Sequence, residues 1–149
     1  MKVYVKRALE GDVAKIAPLF NEYRVFYRQK SDIAMAIDFL SQRLLNNESV
    51  IFVAENYEGL AVGFTQLYPS FSSISAKRSW ILNDLYVTPN SRRMGLARRL
   101  MEAARNLAAV TNAKGLCLQT EIDNTTAQAL YESLGYKRLS DSYFYYLAL

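Results

Sequence analysis

A short run in the second half of the chain has the composition of an anion-binding turn. The run, Arg92-Arg93-Met94-Gly95-Leu96-Ala97, follows a strand-like segment and opens one with helical periodicity. The first backbone amides of a helix lack intrahelical acceptors and lie at the positive end of its dipole, so they bind anions such as pyrophosphate. Gly95 has no Cβ to hold a phosphate away from the backbone. On these residues alone, the alternative is a basic, solvated helix with a chance glycine.

A second pattern, in the last quarter of the chain, places polar residues on one face of a predicted helix. Asn124 and Tyr131 are seven residues apart, which is two helical turns, and Ala127 lies between them. An asparagine and a phenol on one face do not form a core-packing stripe, so the pattern indicates a face that contacts a ligand. The alternative for Tyr131 is an aromatic residue packed near the helix C-terminus.

The composition excludes several kinds of chemistry. Because the chain has no histidine, it has no His-based triad, no His general base and none of the common zinc sites, and we expect no metal. The single cysteine, Cys117, lies in an apolar run and is expected to be a buried thiol rather than a nucleophile. The glycine spacings of the dinucleotide fold and of the P-loop are absent.

The net charge of +4 comes from one local patch. Five arginines lie within it: Arg92, Arg93, Arg98, Arg99 and Arg105. Without these five, 13 basic residues face 14 acidic ones, so the rest of the chain is balanced. We therefore expect no nucleic acid partner, and a nucleic-acid-binding protein that uses this patch ranks last among the hypotheses.

Hydrophobic periodicity predicts a mixed α/β protein, with one domain over residues 1–149. The expected order is β-α-α-β-β-β-α-β-α-β(β), a mostly antiparallel central sheet flanked by helices. Strands are predicted over residues 2–10, 49–55, 60–68, 79–87 and 114–120, with an aromatic, strand-like tail over 136–149. Residues 56–59 predict a hairpin turn and the serine-rich residues 69–76 a loop.

Capping residues and apolar spacing place the helices. Asp12 is the predicted N-cap of a first helix that runs to about Phe26, and Asp32 caps a second. The expected apolar stripe of the second helix is Ile33, Ile37, Leu40 and Leu44. A third helix is predicted over 94–109, and a fourth runs from Asn124 to Gly135, a residue type common just past a helix end.

The chain also carries signals about location. The first seven residues alternate charged and apolar side chains and lack the apolar core of a signal peptide, and residues 59–76 are too polar to span a bilayer. One thiol without a disulfide fits a reducing compartment. We expect a cytoplasmic protein with no membrane partner.

Together, the two patterns resemble those of the GNAT superfamily of acyl-CoA-dependent N-acetyltransferases. The pyrophosphate loop of that family reads Q/R-x-x-G-x-G/A, which residues 92–97 match, and Asn124, Ala127 and Tyr131 match its last conserved helix. The element order fits over the whole chain. Residues 81–87, with residues 23–27, look like the branch described as histone- and polyamine-acetyltransferase-like.

The resemblance implies acetyl-CoA as the co-substrate and a role for each matching residue. The main chain of Leu85, Tyr86 and Val87 would pair with the pantetheine arm. Arg92 and Arg98 would help to bind the charged pyrophosphate end of the cofactor, and Asn124 would hydrogen-bond the cofactor. Tyr131 would protonate the departing thiolate. The pyrophosphate would be held by the amides of Arg93, Met94, Gly95, Leu96, Ala97 and Arg98.

Amine attack on a thioester also needs a base, because an amine with a pKa of about 10 is mostly protonated at neutral pH. Many relatives carry a glutamate for this on the fourth strand, where this chain has Asn83. Asp84 is adjacent, but strand alternation sends neighbouring side chains to opposite faces unless a bulge intervenes. Glu121 and Asp123 are further candidates. The base is left open, with Asp84 ahead.

The first helix supplies a candidate pocket for the acceptor. Tyr23, Phe26 and Tyr27 could surround a cationic amine, with Glu22 adding negative charge. The alternative is that Tyr23 completes the helix's apolar stripe. The serine-rich loop is a candidate cover for the same site.

The leading hypothesis is direct transfer of an acetyl group from acetyl-CoA to a primary amine in a ternary complex, with a small-molecule or peptide acceptor. A non-catalytic acyl-CoA sensor is the alternative. The apolar tail leads us to expect a homodimer.

Overall fold

Five strands form one sheet in chain order: β1 (Val3–Arg7), β2 (Val50–Asn56), β3 (Ala61–Ser72), β4 (Lys77–Val87) and β5 (Leu116–Cys117). The helices are α1 (Val13–Phe26), α2 (Ile33–Leu45), α3 (Leu96–Val110) and α4 (Thr125–Ser133). This computed structural model describes residues 2–149. The chain divides into one unit that ends at Leu118 and a second, Gln119–Leu149.

Strands β1 to β4 pair antiparallel with their neighbours, whereas β5 pairs parallel with β4 at Trp80–Leu116 and Ile81–Cys117. A parallel pair needs a crossover connection, and α3 is that connection. The predicted fold class, a mixed and mostly antiparallel sheet with helices, is confirmed. The β5 strand is much shorter than the predicted 114–120.

Helices cover both faces of the sheet in the first unit, because each face carries its own apolar set. One core forms where α1 and α2 pack on the sheet, around the fully buried Ile16, Leu40 and Phe64. The other forms beneath α3, where Leu96 and Leu100 pack on Ala54. Burial of each side chain of this size stabilises the fold by about 1.5–3 kcal/mol.

Two capping predictions have different outcomes. Asp32 caps α2 as predicted, because its Oδ1 accepts from Met35 N at 3.0 Å. Asp12 occupies the N-cap position of α1, as predicted, but its side chain makes no capping hydrogen bond to that helix. Residues 10–12 already form a 3-10 turn, so the Asp12 carboxylate reaches back to Leu9 N at 2.8 Å. The basic side chain of Lys6 also donates to it at 3.1 Å.

The predicted apolar stripe of α2 is wrong in part. Leu40 is buried and Leu44 packs on the core, but Ile33 and Ile37 are 43% and 41% exposed. The small Ala36 is fully buried instead, within the core that α1 and α2 form on the sheet. Close approach of two helices favours a small residue at the contact, so the buried face of α2 is rotated from the one that large apolar residues mark.

The serine-rich segment is not a loop over its predicted length. Strand β3 continues through Ser72, with Pro69 opposite Trp80, and β4 begins at Lys77. Only residues 73–76 form the turn of this long hairpin. Cys117, expected to be buried, is exposed on the short strand β5.

The second unit contains α4 and the C-terminal tail. Asn124 caps α4 through Oδ1, which accepts from Ala127 N at 3.2 Å, and Gly135 follows the helix with a φ of 94°. Both were predicted. No strand is present among residues 136–149, although their aromatic alternation predicted one. A strand depends on a hydrogen-bonded partner as well as on residue type.

Candidate active site

A β-bulge in β4 brings two polar side chains together. Gln66 pairs with Asp84, but the next residue of β3, Leu67, pairs with Leu82, so Asn83 is an extra residue in β4. A bulge suspends the alternation of side chains. As a result, Asn83 Nδ2 donates to Asp84 Oδ1 at 2.8 Å. Asp84 lies on the same sheet face as Tyr86, two residues further along β4.

The Asp84 carboxylate is buried, with 2% of the residue exposed, and polar groups surround it. Gln66 Nε2 donates to its Oδ2. Burial raises the pKa of Asp84, and hydrogen bonds from Gln66, Asn83 and Tyr23 partly oppose that rise. A carboxyl group with a raised pKa is a stronger base than an ordinary one and is a frequent feature of active sites.

Tyr23 of α1 connects the aromatic core to the bulge, and its contact with Phe64 bears out the interpretation that it completes the apolar stripe of the helix. Its ring lies 6.0 Å from the ring of Phe64 and 6.4 Å from that of Tyr86, centroid to centroid. Its hydroxyl donates to the Asn83 carbonyl oxygen at 3.3 Å. Burial, then the charge of Asp84, raises the pKa of Tyr23, which keeps the phenol neutral at physiological pH.

The remaining predicted acceptor residues surround Tyr23. The Tyr27 ring lies 5.0 Å from that of Tyr23, and Phe26 stands edge-on to Tyr27 at 5.2 Å. The Tyr86 hydroxyl donates to Glu22 Oε2 at 3.1 Å. Burial and the Glu22 carboxylate raise the pKa of Tyr86. The structure thus brings Glu22 and these aromatic residues to the face of β4 that carries Asp84.

Two residues of β3 at this site were missed from the sequence. Gln66 is fully buried, and its Oε1 has no hydrogen-bond partner among residues 2–149. Tyr68 is partly buried, and burial followed by the charge of Asp84 raises its pKa. A glutamine inside the apolar run 62–67 was the available signal, since a buried polar side chain in a strand needs a polar partner.

The turn between β4 and α3 contains the residues predicted to bind an anion. Arg93 and Gly95 adopt left-handed conformations, with φ of 63° and 74°, and Gly95 is the N-cap of α3. The helix therefore begins at Leu96, two residues later than predicted. Arg92 Nε donates to the Val87 carbonyl oxygen at 3.0 Å, and its guanidinium lies 5.8 Å from the Tyr86 ring centroid.

The outer edge of β4 is open beside this loop. The pairing of β5 with β4 ends at Ile81, and within residues 2–149 no other strand pairs with residues 82–87 on that side. The predicted pantetheine contacts, Leu85, Tyr86 and Val87, pair with β3 through the opposite edge. An unpaired edge presents amide and carbonyl groups to an extended ligand.

The other predicted site residues belong to the second unit. Tyr131 lies on α4, with its ring 6.2 Å from that of Tyr136. Glu121 and Asp123 precede α4, and both are exposed. Gln128 Nε2 donates to the carbonyl oxygens of Glu121 and Ile122, which fixes this segment to the helix.

Neither a membrane-spanning helix nor a metal-binding cluster is found among residues 2–149. No helix there is long and apolar enough to cross a membrane. No group of three or more acidic or cysteine side chains in that range is arranged to hold a metal ion.

Residues 16–136 match the acetyltransferase (GNAT) family, and the chain belongs to this family. Members use acetyl-CoA, and the chain is accordingly an acetyl-CoA-dependent N-acetyltransferase. It is 53% identical over 133 residues to the uncharacterized N-acetyltransferase YhfO of Bacillus subtilis (strain 168), which covers 89% of each chain.

Solved structures agree with the fold. The crystal structure of a probable acetyltransferase has a TM-score of 0.93 and 40% identity, over 98% of this chain and 97% of that one. An aminoglycoside N-acetyltransferase in complex with CoA has a TM-score of 0.81, over 99% of this chain and 96% of that one. At 17% identity, the second likeness shows the fold alone.

Proposed function

We propose that the chain transfers an acetyl group from acetyl-CoA directly to a primary amine in a ternary complex, with Asp84 as the general base. The observation that carries this proposal is the buried Asp84 carboxylate at the β4 bulge, on the face that also carries Glu22 and Tyr23. We treat residues 1–149 as one acetyltransferase domain that acts in the cytoplasm.

The residues near the end of β4 fit acetyl-CoA, which supplies the activated acetyl thioester when bound. The open edge at Leu85, Tyr86 and Val87 suits the amides of a pantetheine arm. The left-handed Gly95 and the first turn of α3 suit a pyrophosphate, with Arg92 and Arg98 nearby. The backbone amides assigned to it are those of Arg93, Met94, Gly95, Leu96, Ala97 and Arg98.

Asn124 and Tyr131 complete the proposed set. Because Asn124 Oδ1 accepts from Ala127 N, the cofactor hydrogen bond proposed for Asn124 uses its Nδ2 group. Tyr131 is the proposed acid for the CoA thiolate. A phenol with a pKa of about 10 is protonated at pH 7, whereas a thiol has a pKa of about 8.5.

The charges at this site support a cationic acceptor. Glu22 and Asp84 are acidic, and aromatic rings such as those of Tyr23, Tyr27 and Tyr86 attract ammonium groups. We propose Glu22, Tyr23 and Tyr27 as acceptor-binding residues. A small-molecule or peptide amine fits, in keeping with the histone- and polyamine-acetyltransferase-like branch.

The transfer follows from these positions. Asp84 accepts a proton from the ammonium group, directly or through one water. The amine nitrogen then attacks the acetyl carbon, and a main-chain N–H at the β4 bulge polarises the carbonyl. As the carbon–sulfur bond breaks, Tyr131 donates its proton to the leaving sulfur, and the nitrogen loses its second proton to the resulting phenolate. The proton held by Asp84 passes to solvent before the next cycle. The products are an N-acetyl amine and free CoA.

A thiol-release assay tests this function. Purified protein and acetyl-CoA are incubated with a panel that contains a polyamine, an aminoglycoside, an amino acid and a lysine peptide. Thiol release that depends on one class of amine supports the proposal and identifies the acceptor class. Binding of acetyl-CoA by calorimetry without release for any amine would favour the sensor alternative.

Replacing Tyr131 with phenylalanine is expected to lower turnover by roughly 10²-fold, the magnitude of general-acid catalysis. Acetyl-CoA affinity should be unchanged, because only the hydroxyl is removed. Turnover is measured by thiol release, and affinity by calorimetry. Tyr136→Phe is the matched control and should leave turnover close to wild type. Full activity in Tyr131→Phe would remove this residue from the mechanism.

A homodimer packed through the aromatic tail is expected in solution. Tyr143, Phe144, Tyr145 and Tyr146 are all exposed, and an exposed apolar patch of this kind marks an interaction surface. Sedimentation at micromolar concentration should give the dimer mass, and replacing Phe144 and Tyr146 with serine should give the monomer. A wild-type monomer would refute this expectation.

A further inference from the structure

A small cavity lies under the C-terminal end of α3, away from the phosphate-binding loop. Its volume is about 220 Å³, and its polar lining residues are Arg7, Asn47, Ser49, Arg78, Trp80 and Thr111. Leu107, also in the lining, follows Leu96 by ~16 Å along the helix axis at 1.5 Å per residue. The cavity is therefore separate from the proposed acetyl-CoA site at the other end of α3.

Two guanidinium groups give this cavity a positive charge. Among residues 2–149, no carboxylate forms an ion pair with Arg7 or Arg78. The Arg78 guanidinium lies 5.0 Å from the Phe71 ring centroid and 5.3 Å from that of Trp80, so aromatic rings help to orient it. An oriented guanidinium presents paired N–H donors that match the oxygens of a carboxylate or phosphate.

A buried hydroxyl in the same lining lacks a partner. Ser49 is 6% exposed, and its Oγ has no hydrogen-bond partner among residues 2–149. A buried hydroxyl without a partner is unfavourable and needs an explanation such as a bound ligand or water. By contrast, the polar side chains of Trp80 and Thr111 have hydrogen-bond partners. Trp80 Nε1 donates to Thr111 Oγ1, and the Thr111 hydroxyl donates to the Leu107 carbonyl oxygen.

We propose that this cavity binds a small oxyanion, held by the guanidinium groups of Arg7 and Arg78 and by the Ser49 hydroxyl. A volume of about 220 Å³ is well above the ~10–15 Å³ that one water needs on the same measure, which is enough for a phosphate or a short carboxylate. Cavities that hold larger ligands begin at about 300 Å³. Phosphate and carboxylate groups share the required chemistry, and the test separates them.

Trp80 makes the test specific to this cavity, because it is the only tryptophan in the chain. Its single indole N–H resonance is followed by NMR while the full-length protein is titrated with inorganic phosphate and, separately, with succinate. Sodium chloride at equal ionic strength is the reference for non-specific screening. A phosphate bound at the loop before α3 lies at the far end of the helix and should leave this resonance in place.

We expect a saturable shift with at least one of the two anions, and the tighter of them identifies the ligand class. Arg7→Gln and Arg78→Gln should each weaken binding by about tenfold or more, and Ser49→Ala by less. Lys77→Gln, which removes a charge next to Arg78 but outside the cavity lining, should bind like wild type. No saturable shift with either anion, or equal binding by Arg7→Gln and Lys77→Gln, would overturn the proposal.

Discussion

Replacing Asp84 with asparagine is expected to lower acetyl transfer by roughly 10²- to 10⁴-fold, the contribution of a positioned general base. The amide keeps the shape of the side chain but cannot accept the ammonium proton. Thiol release at saturating acetyl-CoA measures the loss, and calorimetry should show unchanged acetyl-CoA affinity. Asp38→Asn is the control, because Asp38 lies on α2 and bonds only Gln42 among the described contacts.

The same substitution should change stability with a definite pH dependence. The pKa of Asp84 is higher in the folded chain than in the unfolded one, because the carboxyl group is buried. Between the two pKa values the folded chain binds more protons, so the free energy of unfolding falls as pH rises. At pH values above both pKa values, the buried carboxylate is ionised and its full desolvation cost lowers the free energy of unfolding. Asp84→Asn removes that penalty and should raise Tm at pH 7 but not at a pH below both pKa values.

Gln66 explains how the fold accommodates the new amide. Its Oε1 has no partner among residues 2–149, so rotation of the Gln66 amide lets that oxygen accept from the amide introduced at position 84.

Wild-type turnover should rise with pH through the raised pKa of Asp84, because the base must be ionised. Unchanged turnover in Asp84→Asn would exclude Asp84 and direct attention to Glu121 and Asp123.

Replacing Gly95 with valine is expected to abolish acetyl-CoA binding in calorimetry. Gly95 has a φ of 74°, where a β-branched residue is strained, and a Cβ there would meet no protein atom within 4 Å. The new side chain would therefore project into the space proposed for the pyrophosphate. The left-handed conformation alone costs a non-glycine residue about 1–2 kcal/mol.

A second glycine separates strain from a direct effect on the ligand. Gly59, in the turn between β2 and β3, has a φ of 81° and also has no atom within 4 Å of an added Cβ. Gly59→Val should lose a similar amount of stability in thermal unfolding but bind acetyl-CoA like wild type. Equal affinity in Gly95→Val and Gly59→Val would show that the loop does not hold the pyrophosphate.

Helix caps and turns were predicted correctly where the interaction that forms them joins residues close in sequence. Asp32 bonds Met35 three residues later, and Asn124 bonds Ala127 in the same way. The turn at 56–59 is held by Asn56, whose Oδ1 accepts from Glu58 N and Leu60 N. These contacts form within a few residues, so residue type and spacing are sufficient to predict them.

Predictions failed where distant parts of the chain decide the outcome. Ile33 and Ile37 have the residue type of a core stripe, but tertiary packing buries the face of α2 that carries Ala36 and Leu40. The tail has strand-like alternation, yet a strand requires a partner that residue type does not specify.

The sequence by itself determined the family, the turn before α3 and the α/β order, because each depends on spacing along the chain. Only the tertiary structure decided that Asp84 and Asn83 share a site with Tyr23. That outcome depends on the register between β3 and β4, where one extra residue produces the bulge. Register is set by cross-strand packing, and a shift of one residue reverses the direction of every side chain.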